Sequence, residues 1–187
     1  MYIRKAKEQD LAAVLKIYAA ARRYMRQNGN ASQWGDSYPK KALLRQDLER
    51  EQLCLCVEKA PKAEEKIPGT EAVNAEQILA VFVLLLGDDP NYQKIEDGAW
   101  PNDEPYATVH RIAVSDEARG RGAARFCLDW AAEQADNLRI DTHADNLPMQ
   151  RLIAKCGFVR AGIVHMEDGS PRIAYAKRTG RQKGKQA

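Results

Sequence analysis

The chain has 187 residues, 44% hydrophobic and 29% charged, which suits one domain around one sizeable core. The net charge is +3, but Lys177–Ala187 alone carry five cations and no acid, so residues 1–176 stand at −2. That divides the chain into a single domain, 1–176, and a basic, flexible tail, 177–187, and it argues against a dedicated nucleic-acid binder, whose basic face belongs to the body. The longest apolar run, Ile78–Leu86, is nine residues, far below the roughly 20 that span a bilayer.

Tyr2–Ala6 reads as a short opening strand. Asp10 then precedes Leu11, Val14, Leu15 and Tyr18 at helical spacing, so an amphipathic helix capped by Asp10 is expected, with its pattern breaking up after Arg22. Asn28–Asn30 and Trp34–Pro39 form a turn-rich loop, and Lys40–Glu51 a second helix with Leu43, Leu44 and Leu48 on one face. Leu53–Glu58 and Ile78–Leu86 read as strands of a hairpin, joined by the polar Lys59–Gln77 connection. Gly87–Pro105 is a long loop holding Tyr92, Ile95 and Trp100, which points to an ordered loop over a pocket.

Tyr106–Val114 is a strand. After the turn Ser115–Ala118, the segment Arg119-Gly120-Arg121-Gly122-Ala123-Ala124-Arg125 opens a helix whose Ala123, Phe126, Cys127, Trp130 and Ala131 share a face. Leu138–Thr142 is a further strand. Asn146 or Asp145 caps a helix with Pro148 in its first turn and Gly157 as its stop. Phe158–Met166 and Pro171–Lys177 close the chain as a hairpin about Glu167–Ser170. The order β-α-α-β-β-β-α-β-α-β-β predicts a mixed sheet with flanking helices.

A strand, a glycine-rich turn and a helix start form an anion site, because the first helical N–H groups lack internal partners and face the positive end of the dipole. The Walker pattern is absent, and the third glycine of a dinucleotide fingerprint is replaced by Arg125. Ile112-Ala113-Val114 followed by Arg119-x-x-Gly122-x-Ala124 resembles the acyl-CoA signature of the GNAT superfamily of N-acetyltransferases. Asn146, Met149, Leu152 and Cys156-Gly157-Phe158 resemble that family's next strand–helix segment. The two segments cover about 55 residues.

The resemblance implies an α+β fold: a mostly antiparallel twisted sheet of six to seven strands, splayed between two central parallel strands, with about four helices. It implies acetyl-CoA as co-substrate, with its pantetheine arm along the backbone of Ile112, Ala113 and Val114. The pyrophosphate would lie on Arg119, Gly120, Arg121, Gly122, Ala123, Ala124 and Arg125, with Asn146 touching the cofactor. Val114 would offer a backbone N–H to the thioester carbonyl. The family's usual tyrosine acid, seven residues after that Asn, is Ile153 here. A homodimer through the C-terminal strands also fits the family.

His110 is the first candidate for the base, since imidazole titrates near neutral pH, and a regular strand places it on the face of Ile112 and Val114. Trp34, Tyr92, Trp100, Glu104 and His143 are candidates for the lining of a cationic acceptor's site. Four cysteines without a Cys-x-x-Cys pair, and three histidines without close spacing, predict no metal site and reduced thiols in a cytoplasmic protein. The leading expectation is acetyl transfer to a primary amine of a small molecule, amino acid or peptide terminus, by direct attack in a ternary complex. The competing expectations are an acyl-CoA-binding sensor without turnover and an RNA- or ribosome-associated protein.

Overall fold

A computed structural model describes residues 1–59 and 76–180. Most of the Lys59–Gln77 connection and residues 181–187 of the basic tail lie outside the described residues, whereas Lys177 and Arg178 pair with Leu138 and Asn137 inside the last strand.

The described residues form β1 (Tyr2–Lys5), α1 (Leu11–Gln27), α2 (Lys41–Glu49), β2 (Leu53–Lys59), β3 (Glu76–Leu86), β4 (Ala107–Val114), α3 (Ala123–Ala132), β5 (Asn137–Thr142), α4 (Leu147–Lys155), β6 (Val159–His165) and β7 (Pro171–Arg178). One seven-stranded sheet runs β1-β2-β3-β4-β5-β7-β6. Every neighbouring pair is antiparallel except β4 and β5. The expected α+β architecture is present. Among the described residues no helix is long and apolar enough to cross a membrane.

Helix α1 runs a full turn past Arg22, because Met25 is buried and the helix ends only at Asn28, with Gly29 at φ 80°. Asp10 does not cap α1. Its carboxylate accepts the Lys7 N–H at 2.8 Å and both Arg4 Nη atoms at 2.8 and 2.9 Å, so it ties the end of β1 to the helix entry.

The sheet separates three apolar clusters. On one face Ala107, Val109, Leu138 and Ile140 pack with α3 and with Ile153 and Cys156 at α4. On the other, α1 and Leu44 of α2 cover β2, β3 and Ala113, while Tyr92 and Tyr106, with half-buried Trp100, pack on Val164 and Ala174 of β6 and β7. The loop from Gly87 to Pro105 therefore owns a small core of its own. It is pinned by the Arg139 guanidinium, which lies 4.1 Å from the Trp100 ring and 3.7 Å from Tyr106 and donates to the Asn102 carbonyl.

Two irregularities shape the centre. Val83 pairs with His110 but Val81 pairs with Ala113, so β4 carries one extra residue, a bulge at Arg111 with φ 53°. Ile112 and Val114 consequently pack with the α3 and α4 cluster, as do Ala107 and Val109. His110 faces the opposite side, which corrects the expectation that it shares a face with Ile112 and Val114; the bulge shifts the alternation by one residue. The second irregularity is that β4 and β5 pair only from Ala107–Leu138 to Val109–Ile140, then part.

Candidate active site

Where β4 and β5 part, a cleft of about 1070 Å³ opens through the sheet. One wall is the β4 edge from Val109 to Val114, and the other is Ile140–Thr142 with Asn146, Met149 and Leu152. The Ser115 N–H donates to the Leu79 carbonyl at 2.9 Å, and Ala113 pairs with Val81 two residues away. An antiparallel ladder alternates its partners, so Ile112 and Val114 turn their N–H groups to the opposite edge, which β5 leaves open.

At one end of the cleft, Gly120 and Gly122 hold φ 76° and 82°, and a Cβ at either would meet nothing within 4 Å. Only glycine takes this backbone readily, and the bare turn leaves room against the N–H groups of α3, whose first helical bond is Phe126 N–H to the Gly122 carbonyl. Arg119 and Arg125 line this end. Arg119 is held by Asp116 at 2.6 Å and lies 3.9 Å over the Tyr24 ring. Arg121 is not in the lining; its guanidinium pairs with Glu58 of β2.

Asn146 does two things at once. Its Oδ1 accepts the Met149 N–H as the α4 cap at 3.3 Å, and its Nδ2 donates to Gln33 Oε1 at 3.0 Å. Gln33 also takes Asn30 Nδ2 at 2.7 Å, so the loop after α1 is fastened to the mouth of the cleft. Trp34 and Tyr38 from that loop line the cleft, as do Glu167, Asp168 and Arg172.

His110 lines the same region, 17% exposed in its side chain. Its Nε2 lies 2.5 Å from Asp89 Oδ2, and its Nδ1 lies 4.0 Å from Asp141 Oδ1. A carboxylate only accepts, so Nε2 is the donor of this pair, and in the neutral imidazole the lone pair then sits on Nδ1. Burial pushes the Asp89 carboxyl up, yet the His110 contact and the Asn91 N–H groups outweigh it and leave it below the ordinary carboxylate value. Beside them the half-buried Arg111 guanidinium meets buried Asp47 at 2.6 Å; burial raises the Asp47 carboxyl.

The family model of the acetyltransferase (GNAT) family matches residues 17–158. The chain belongs to that family. A streptothricin acetyltransferase of Escherichia coli is 39% identical over 75 residues, which covers 37% of this chain and 42% of that protein, so the match spans less than half of that relative's length. The crystal structure of a GNAT-family acetyltransferase from Streptococcus agalactiae superposes with a TM-score of 0.79 at 28% identity, covering 95% of this chain and 94% of the other. The structure of yncA from Salmonella typhimurium with its cofactor acetyl-CoA shares the fold at TM-score 0.58 and 13% identity, covering 97% of this chain and 95% of that one.

In this GNAT chain the cleft gathers Ile112, Ala113, Val114, Arg119, Gly120, Gly122, Ala123, Ala124, Arg125, Asn146, His110 and Trp34. Four expected acceptor residues lie off it. Tyr92 is buried, stacks on Trp100 at 5.2 Å and donates to Asp141 at 2.7 Å, while Trp100 donates to the Tyr92 carbonyl. Both aromatics serve the loop's own core. Glu104 lies 3.7 Å from Arg178, and the His143 ring accepts the Asp145 N–H at the end of β5. The position of the family's tyrosine acid, Ile153, is fully buried against α3 and the sheet. Asp89 and Asp141 join the site beyond the residues expected from the sequence. In Leu138–Thr142 the polar Arg139 and Asp141 alternate with Leu138 and Ile140, which marks the face but not the role of Asp141, and nothing local marks Asp89 over Asp88.

Proposed function

We propose that this acetyltransferase moves the acetyl group of acetyl-CoA to the nitrogen of a primary amine, by direct attack with both substrates bound. The single observation that carries the reading is the position of His110: it lines the cleft beside the open β4 edge while buried Asp89 fixes its Nε2 at 2.5 Å. The cofactor also fits the chain's own features. The empty space above Gly120 and Gly122 suits a pyrophosphate against the α3 N–H groups, with Arg119 and Arg125 adding charge, and the unpaired edge at Ile112 and Val114 suits an extended amide-bearing arm.

In this reading the Ile112 and Val114 N–H groups donate to the thioester carbonyl oxygen as charge builds on it. His110 Nδ1 takes one proton from the ammonium, and the resulting imidazolium is held between Asp89 and Asp141. The freed nitrogen forms the C–N bond and the C–S bond breaks. The sulfur takes the nitrogen's second proton, and His110 returns its own to solvent, so no protein acid is needed at Ile153. The streptothricin relative carries an activity of this class in its name, and it matches over only part of its length.

The test measures free thiol released from acetyl-CoA with a panel of amino acids, polyamines, aminoglycosides and N-terminal peptides. His110→Ala lowers kcat about a hundredfold or more and flattens the pH profile. An unchanged profile removes His110 from the mechanism, and acetyl-CoA binding without thiol release from any amine favours a sensor instead.

A further inference from the structure

The geometry points to Asp141 as the residue that receives the acceptor's ammonium group, shared with His110, which makes the site selective for a primary ammonium over an alcohol. The inference rests on amine transfer as the reaction and names the group that binds the amine.

Asp141 is an unusual carboxylate. It lines the cleft, its side chain is only 10% exposed, and it accepts one hydrogen bond, from Tyr92 at 2.7 Å. Its nearest cation, the Arg172 Nε, is 4.0 Å from Oδ2, beyond a hydrogen bond. A carboxylate so buried is normally paired closely, because an unpaired charge is costly away from water. Tyr92 cannot pair it, being a buried neutral phenol.

The other side of Asp141 supplies the reason. Oδ1 stands 4.0 Å from His110 Nδ1, and with His110 in the neutral form that a base requires, its proton on the nitrogen facing Asp89, both atoms are acceptors. Two acceptors across 4.0 Å leave a gap shorter than twice a hydrogen bond of about 2.8 Å, so one nitrogen reaches both. That nitrogen must bring two protons. An ammonium does, and its third position can turn to the open β4 edge. A hydroxyl brings one proton and leaves an acceptor bare.

The surrounding charges agree. Asp141, Glu167 and Asp168 line the cleft, with Asp89 behind His110. Of the lining cations, Arg119, Arg125 and Lys155 belong to the glycine turn, α3 and α4, and Arg111 is already paired with Asp47 at 2.6 Å, which leaves Arg172 beside Asp141. An arriving cation improves the balance and an arriving anion worsens it.

Asp141→Asn tests the inference, because the amide oxygen can still accept from Tyr92. With an amine that the wild-type chain acetylates, KM for the amine rises about tenfold or more. KM for acetyl-CoA and the melting temperature stay put, and Asp141→Glu recovers part of the loss. On the wild-type chain, which no substitution can unfold, n-butylamine competes with that acceptor and n-butanol at equal concentration does not. An unchanged amine KM in Asp141→Asn, or equal competition by the alcohol, overturns the assignment while leaving amine transfer standing. If no amine releases thiol above hydrolysis, amine transfer itself fails and takes this inference with it.

Discussion

Gly122→Ala separates a structural turn from a cofactor cradle. At φ 82° an alanine is strained by about 1–2 kcal/mol, of which part is recovered because the unfolded chain also loses freedom. A net destabilisation of about 1 kcal/mol lowers Tm by about 2–4 °C in a domain of this size. The new Cβ meets no protein atom within 4 Å, so no clash adds to that figure. In the proposed reading, the same open space is where a pyrophosphate approaches the α3 N–H groups. A methyl there breaks at least one charge-assisted hydrogen bond, about 1.5–3 kcal/mol, or roughly ten- to a hundredfold in Kd for CoA. Gly29→Ala is the matched control: φ 80°, nothing within 4 Å, and outside the cleft. Calorimetric titration with CoA and thermal melts of both variants give the answer. The two should melt alike and only Gly122→Ala should bind CoA weakly. Wild-type CoA affinity in Gly122→Ala, or an equal loss in both, refutes the cradle.

Among the arginines, Arg119→Ala should raise KM for acetyl-CoA severalfold, whereas Arg121→Ala, whose guanidinium is turned to Glu58, should change it less than about twofold. Steady-state kinetics at saturating acceptor checks both. Asp89→Asn should lower kcat by about tenfold or more while KM for acetyl-CoA holds, because Asp89 positions His110 and touches no substrate; Asp89→Glu failing equally with a normal melt would fit that role, and an unaffected kcat would exclude it. Asp10 is held below the ordinary carboxylate value by Arg4 first and by the Lys7 N–H, against its own burial. A depressed carboxyl stabilises above the unfolded value near 3.9 and loses that contribution as pH falls through the folded value. Asp10→Asn should therefore melt below wild type at pH 7, with the difference closing below about pH 4 in a series of thermal scans.

The order of elements was legible because each strand and helix carries its own period: Leu11, Val14, Leu15 and Tyr18 for α1, the apolar run of β3, the Asn146 and Pro148 start of α4. The anion turn was legible because its glycines and helix start are contiguous. What escaped depends on partners far along the chain. Asp89 meets His110 across 21 residues, and Tyr92 reaches Asp141 across 49. Aromatics in a long loop read as ligand contacts, yet Tyr92 and Trp100 turn inward because a loop lying on a sheet must bury its own apolar surface. Arg121 sits amid a cationic motif and still faces Glu58, since a helix start fans successive side chains in different directions.

The bulge at Arg111 leaves a trace in the sequence pattern. Alanine and valine at 107 and 109, then isoleucine and valine at 112 and 114, are two alternating runs out of phase, joined by the polar pair His110-Arg111. A regular strand would carry Arg111 and Ala113 on the face of Ala107 and Val109, driving a guanidinium into the apolar cluster under α3. One extra residue removes that conflict. Ile112 and Val114 fill the cluster, Arg111 turns to Asp47, and the ladder shifts so that the N–H groups of Ile112 and Val114 reach the open edge. The positive φ at Arg111, strained by about 1–2 kcal/mol, is held from both sides, by the 2.6 Å pair with Asp47 and by the buried Tyr18 hydroxyl donating to the Arg111 carbonyl. The same displacement keeps His110 on the face of Asp89 and Asp141. In the proposed reaction the bulge thus divides one strand between two tasks, with the proton acceptor before it and the amides for the carbonyl after it, so that an amine held by Asp141 would arrive between them.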